Sequence, residues 1–124
     1  MSKILIVDDE PTSVALLQKN LALRNHDVTV AQDGMEGFVL AKKNIPDLII
    51  LDVHMPNLDG YSLVRQIKAT EDLKQIPILI VTADEKLEER FLKLGVDHYI
   101  QKPFDATKIV ELAELILKTT LKKF

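Results

Sequence analysis

The chain has no cysteine and no tryptophan, and its 124 residues include only two Tyr and four Phe. Without cysteine there is no disulfide framework, no thiolate metal site and no thiol nucleophile, which fits a reducing cytoplasm. No apolar run approaches the roughly 18 residues of a membrane-spanning helix, so no membrane partner is expected. Met1-Ser2-Lys3-Ile4 leads straight into a strand-like segment, and no signal peptide is visible. An excess of positive charge is also missing. The net charge is −3 and the pI about 5.6, which argues against nucleic-acid binding by this domain alone. Low-complexity segments, linkers and internal repeats are absent, and the three histidines are scattered without ligand spacing. His26 and His98 are expected to be solvated. What remains is a chain of 47% hydrophobic and 28% charged residues, long enough for one real core. Residues 1–124 read as a single domain.

The most informative stretch runs from Asp47 to Pro56. Leu48-Ile49-Ile50-Leu51 ends on Asp52, and Pro56, Asp59 and Gly60 follow at once. A short apolar run between turn signals suits a strand buried on both faces of a parallel sheet. Ile4–Val7 and Ile78–Val81 have the same character and end on Asp8-Asp9-Glu10 and Thr82-Ala83-Asp84. Asp27–Val30 alternates and Asp97–Gln101 is mixed, so these two belong at the sheet edges. Helical spacing links Val14, Leu17 and Leu21 behind Pro11, which is welcome in a first turn. It recurs in Gly34–Lys43, in Tyr61, Leu63, Val64 and Ile67 behind a capping Asp59, in Glu85–Leu94, and from Ala106 to about Lys122. Five strands alternating with five helices predict an α/β fold. Its doubly wound five-stranded parallel sheet takes the flavodoxin-like order 2-1-3-4-5.

That topology brings Asp8 and Asp9, Asp52, Thr82 and Lys102 to the carboxyl ends of the strands, the edge where open α/β sheets bind ligands. Crowded carboxylates repel one another unless a cation is supplied, and oxygen donors with room for water suit Mg²⁺. The Thr82 hydroxyl and the Lys102 ammonium are groups that hold phosphoryl oxygens. An ionised carboxylate at Asp52 can attack phosphorus without a general base and become an acyl phosphate. Taken singly, each residue has a plainer role. Asp8 and Asp9 would cap a helix, Thr82 would end a strand, Lys102 would be a surface charge and Tyr99 an edge aromatic. Their joint placement is what favours chemistry.

Asp8-Asp9, Leu51-Asp52-Val53-His54-Met55-Pro56 with Leu58-Asp59-Gly60, Thr82-Ala83 and Lys102-Pro103-Phe104 together resemble the receiver domain of bacterial two-component response regulators. The resemblance covers essentially the whole chain and is similar in scale to single-domain chemotaxis-type regulators. It implies that Asp52 accepts a phosphoryl group from a histidine kinase or a histidine phosphotransfer protein. It also implies Mg²⁺ bound by Asp9 directly, by Asp8 mostly through water, by Asp52 and by the His54 carbonyl. Thr82 and Lys102 would hold the phosphoryl oxygens, with a cis Lys102–Pro103 bond. Tyr99 would be the switch aromatic that follows Thr82 and biases the fourth helix, fifth strand and fifth helix toward a downstream target. A homodimer through the fourth helix, fifth strand and fifth helix is a further expectation. His54 and Asp84 fall where the family tunes phosphate lifetime.

On this reading the chain is not an enzyme but a phosphorylatable switch that assists its own phosphorylation and dephosphorylation. A single-domain regulator or relay shuttle is expected, with the receiver of a longer regulator or hybrid kinase as the alternative. A haloacid-dehalogenase-type phosphohydrolase would want a second Asp two residues past the nucleophile, where this chain has His54. A flavodoxin-like FMN carrier would want a Ser/Thr/Gly phosphate loop where this chain has Asp8-Asp9-Glu10, which repels phosphate. In the last helix Ile109, Leu112, Ala113 and Ile116 form one face. Val110, Leu117, Leu121 and Phe124 form a second stripe about 100° away, either a widened core face or an exposed docking strip.

Overall fold

A computed structural model of the chain describes residues 2–53, 60–82, 88–96, 98–101 and 105–121. The strands are β1 (Lys3–Val7), β2 (Asp27–Ala31), β3 (Leu48–Asp52), β4 (Ile78–Thr82) and β5 (His98–Gln101). The helices are α1 (Pro11–Leu23), α2 (Gly34–Asn44), α3 (Gly60–Lys68), α4 (Glu88–Lys93) and α5 (Ala106–Leu121). All strand pairs are parallel and the order is β2-β1-β3-β4-β5, as expected from the apolar centre and mixed edges. None of the described helices is long and apolar enough to cross a membrane.

The central strands alternate strictly between two cores. Leu5, Val7, Ile49, Leu51, Ile78 and Ile80 face one side, with Leu63, Val64 and Ile67 of α3 and Phe91 of α4. Ile4, Ile6, Leu48, Ile50, Leu79 and Val81 face the other, under α1 and α5. The period-2 alternation of a strand has put consecutive apolar residues on opposite faces, and both faces are covered. Burying each such side chain contributes roughly 1.5–3 kcal/mol.

On α5, Val110 and Leu117 are buried beside Ile109, Ala113 and Ile116. Of the two accounts of its second stripe, the widened core face holds at these positions, because α5 packs against α1 as well as the sheet. The Leu121 side chain and Phe124 lie outside the described residues. The expected capping role of Asp59 and residues 85–87 of the expected fourth helix lie outside them as well. The described part of that helix runs only from Glu88 to Lys93.

His26 is not solvated as expected. Its side chain is 10% exposed, with Nε2 3.9 Å from Glu114 Oε1 and neither ring nitrogen hydrogen-bonded. The turn that follows α1 folds it in beside α5, where Arg24 pairs with Glu114 at 2.9 Å. His98 is half-buried.

Candidate phosphoacceptor site at the carboxyl edge of the sheet

Asp52 is the last residue of β3. Its neighbours in register are Val81 on β4 and, one step beyond the Val7–Leu51 pair, Asp8 at the end of β1. It is 5% exposed, and Thr82, the last residue of β4, is fully buried. These are the only polar or charged side chains that are buried among the described residues. A carboxylate taken out of water at the end of a central strand is costly unless it is engaged, so this position is unusual for a merely structural acid.

Asp8 is half-buried and Asp9 exposed. The Asp8 backbone N–H still donates to the Ala31 carbonyl at 3.0 Å, which ties the residue to the sheet. Its Oδ1 accepts from the Glu10 N–H at 3.0 Å. The capping alternative for this acidic pair is resolved one residue later. Glu10 is the N-cap of α1, with Oε1 accepting from Thr12 N–H at 3.3 Å and Oε2 from Ser13 N–H at 2.6 Å. Pro11 in the first turn needs no hydrogen-bond partner for its nitrogen. With Glu10 serving the helix, Asp9 has no part in the cap.

β5 sits beside β4 with Tyr99 opposite Ile80 and Gln101 opposite Thr82. Alternation therefore places Tyr99 on the same face of the sheet as Thr82, packed against the core under α3 and α4. The His54 carbonyl, Asp84, Lys102 and the Lys102–Pro103 bond lie outside the described residues. Of the named positions, the topology thus brings Asp8, Asp9, Asp52 and Thr82 to one edge and sets Tyr99 next to Thr82 one strand away.

Two features here were not anticipated. A Cβ on Gly60 would lie 2.9 Å from Val53 Cα, so the first residue of α3 rests on the backbone just after Asp52 and only glycine fits. The second is an aromatic clasp on α4. The rings of Tyr61 and Phe91 meet edge-on at 5.9 Å, and the Arg90 guanidinium lies 4.8 Å from the Tyr61 ring centre. Tyr61 and Phe91 were legible only as helix-face residues. Their meeting depends on how α3 and α4 pack.

The model of the response regulator receiver domain family matches residues 4–114. The chain belongs to this family. As a receiver, it is 38% identical over 120 residues to the response regulator MprA of Mycobacterium sp. (strain KMS), covering 95% of this chain and 51% of that protein. It is 42% identical over 118 residues to the alkaline phosphatase synthesis transcriptional regulatory protein PhoP of Bacillus subtilis, covering 94% and 48%. The receiver spans about half the length of these curated relatives. Among solved structures, the chemotaxis response regulator CheY4 of Vibrio cholerae superposes with a TM-score of 0.86 at 28% identity, covering 94% of this chain and 98% of that one. The receiver domain of the sensor histidine kinase PA1611 of Pseudomonas aeruginosa gives a TM-score of 0.84 at 29% identity, over 94% and 98%. That receiver was solved with a magnesium ion coordinated in its active-site cleft.

Proposed function

We propose that Asp52 is the phosphoacceptor of this receiver, taking a phosphoryl group from a phosphohistidine on a histidine kinase or histidine phosphotransfer protein. The observation that carries the reading is the burial of Asp52 at the end of β3, with Asp8 and Asp9 at the end of β1 beside it and Thr82 at the end of β4. A carboxylate oxygen attacks phosphorus in line, the bond to the donor imidazole breaks, and an acyl phosphate forms on Asp52.

Among the described residues no three His, Cys, Asp or Glu side chains close into a ready-made metal cage. The donors at this edge instead form the sparse, all-oxygen set that suits Mg²⁺, an ion that keeps several of its waters. Asp9, Asp52, Asp8 through water and the His54 carbonyl would hold it. When bound, the ion neutralises charge on the transferring phosphoryl oxygens. The Thr82 hydroxyl and the Lys102 ammonium take the remaining oxygens. As Thr82 turns toward the phosphoryl group, Tyr99 on the same face moves into the space it leaves, and the surface of α4, β5 and α5 changes for a target protein. The hydrolysis that resets the switch takes place at the same carboxyl edge.

The donor has ground to dock on beside the site. Leu16 is 54% exposed and lines a shallow cleft of about 490 Å³ with Pro11, Thr12, Ala15 and Lys19. Relatives about twice as long carry such a receiver as one part, while the chemotaxis regulator CheY4 is matched over 98% of its chain, so a single-domain regulator and the receiver of a longer regulator both fit this family.

Intact mass after incubation with Mg²⁺ and acetyl phosphate tests the acceptor. One phosphate adduct is expected on the native chain, lost on adding EDTA before the phosphodonor and absent from Asp52→Asn. An adduct that persists in Asp52→Asn would overturn the assignment.

A further inference from the structure

We propose that the outer face of α2 is a self-complementary surface through which two copies of the chain associate, α2 lying antiparallel on α2 of the second copy. Met35 and Val39 are each 62% exposed, one turn apart on this helix. They line a groove of about 600 Å³ with Glu36, Phe38, Leu40 and, from α3, Gln66. Two large apolar side chains this open on one short helix are an exposed patch that the receiver fold itself does not use.

The charges around them have a plain explanation up to a point. Asp33 caps α2 by accepting from Glu36 N–H at 2.8 Å, Glu36 is in the first turn and Lys42 and Lys43 are in the last, as the helix dipole favours. The dipole accounts for the sign of each charge but not for its position round the helix. By the 3.6-residue period, Met35 and Lys42 lie within about 20° of one another, and so do Glu36 and Lys43. These two rows flank Val39, which sits between them and midway along the helix.

A two-fold axis through Val39 reverses the helix direction and keeps each row on its own side. Residue i then meets residue j and j meets i, as an isologous contact requires. Val39 packs on Val39 of the second copy. Glu36 meets Lys43 of the second copy, and Met35 lies along the aliphatic stem of Lys42. Among the described residues neither Glu36 nor Lys43 is in an intramolecular ion pair. Lys42 is already laid over the Phe38 ring at 5.8 Å, so its stem is held flat on the surface. The same sequence therefore supplies both halves of an apolar seam closed by two ion pairs. One helix face falls short of the roughly 800 Å² per partner of a standard interface, so the association is expected to be weak. It does not depend on the chemistry at Asp52.

Sedimentation equilibrium of the whole chain across the micromolar to millimolar range tests this. Val39→Glu, at an exposed position, is expected to leave the circular dichroism unchanged and abolish dimerisation. Glu36→Lys alone and Lys43→Glu alone are each expected to weaken self-association about tenfold, because each places like charges across both ends of the seam. An equimolar mixture of those two variants restores both opposite-charge pairs, and dimerisation is expected to return to the native level. A native chain that stays monomeric up to about 1 mM would overturn the proposal and leave a helix of another protein as the occupant of the groove. Self-association indifferent to Val39→Glu, or a mixture no tighter than either variant alone, would place the contact on a different surface.

Discussion

The two helical layers on this sheet are built differently. On one side α1 and α5 lie together, joined by Arg24–Glu114, with half-buried His26 against them. On the other side the described part of α4, Glu88–Lys93, is held through the buried Phe91 and the Arg90–Tyr61 contact to α3. Most helical stability in proteins comes from packing of an apolar face, so the position of this stretch follows its anchors. The side that carries Tyr99 and the Thr82 face is thus the one that holds this side-chain-anchored piece. The α1/α5 side serves as the frame.

Removing the anchor is the strongest way to probe this difference. Phe91→Ala is expected to cost about 3–5 kcal/mol in urea unfolding. Amide exchange should accelerate in α4 while α5 keeps its protection. Equal loss of protection in α5 would show that the layers unfold as one unit and would break the comparison.

Gly60→Ala should act next most strongly, by about 1–3 kcal/mol, since the new methyl must push α3 off the Val53 backbone. Because that backbone follows Asp52 directly, phosphorylation by acetyl phosphate is expected to slow as well. A variant that is destabilised but phosphorylated at the native rate would separate the start of α3 from the site.

Arg24→Ala should do least. Both partners of its ion pair are partly exposed, so screening leaves about 0.5 kcal/mol or less, and acetyl-phosphate kinetics should not change. A loss several times larger would mean that the frame leans on this one pair rather than on its apolar contacts.

Much of this was legible in advance from particular residues. Three all-apolar runs against two mixed ones ordered the strands, because a strand covered on both faces needs no polar side. The ends of those runs put Asp8, Asp9, Asp52 and Thr82 on one edge. Other positions were misread or undecided for a common reason. His26 looked solvated, and Val110 and Leu117 fitted either a widened core face or a docking strip, since local periodicity reports which face a residue is on but not what a distant helix brings to cover it. The α1–α5 contact settles all three. Asp8 and Asp9 had two readings until Glu10 proved to be the cap, a choice that depends on the angle at which the chain turns into α1.

The sequence by itself determined the fold class, the strand order and the edge at which the candidate site residues gather, because burial pattern and strand polarity are properties of short stretches of chain. Only the tertiary structure decided that Gly60 must be glycine, that Tyr61 and Arg90 clasp α4, and that Met35 and Val39 stay uncovered. Each of these depends on the distance between elements far apart along the chain, which packing sets and local pattern does not.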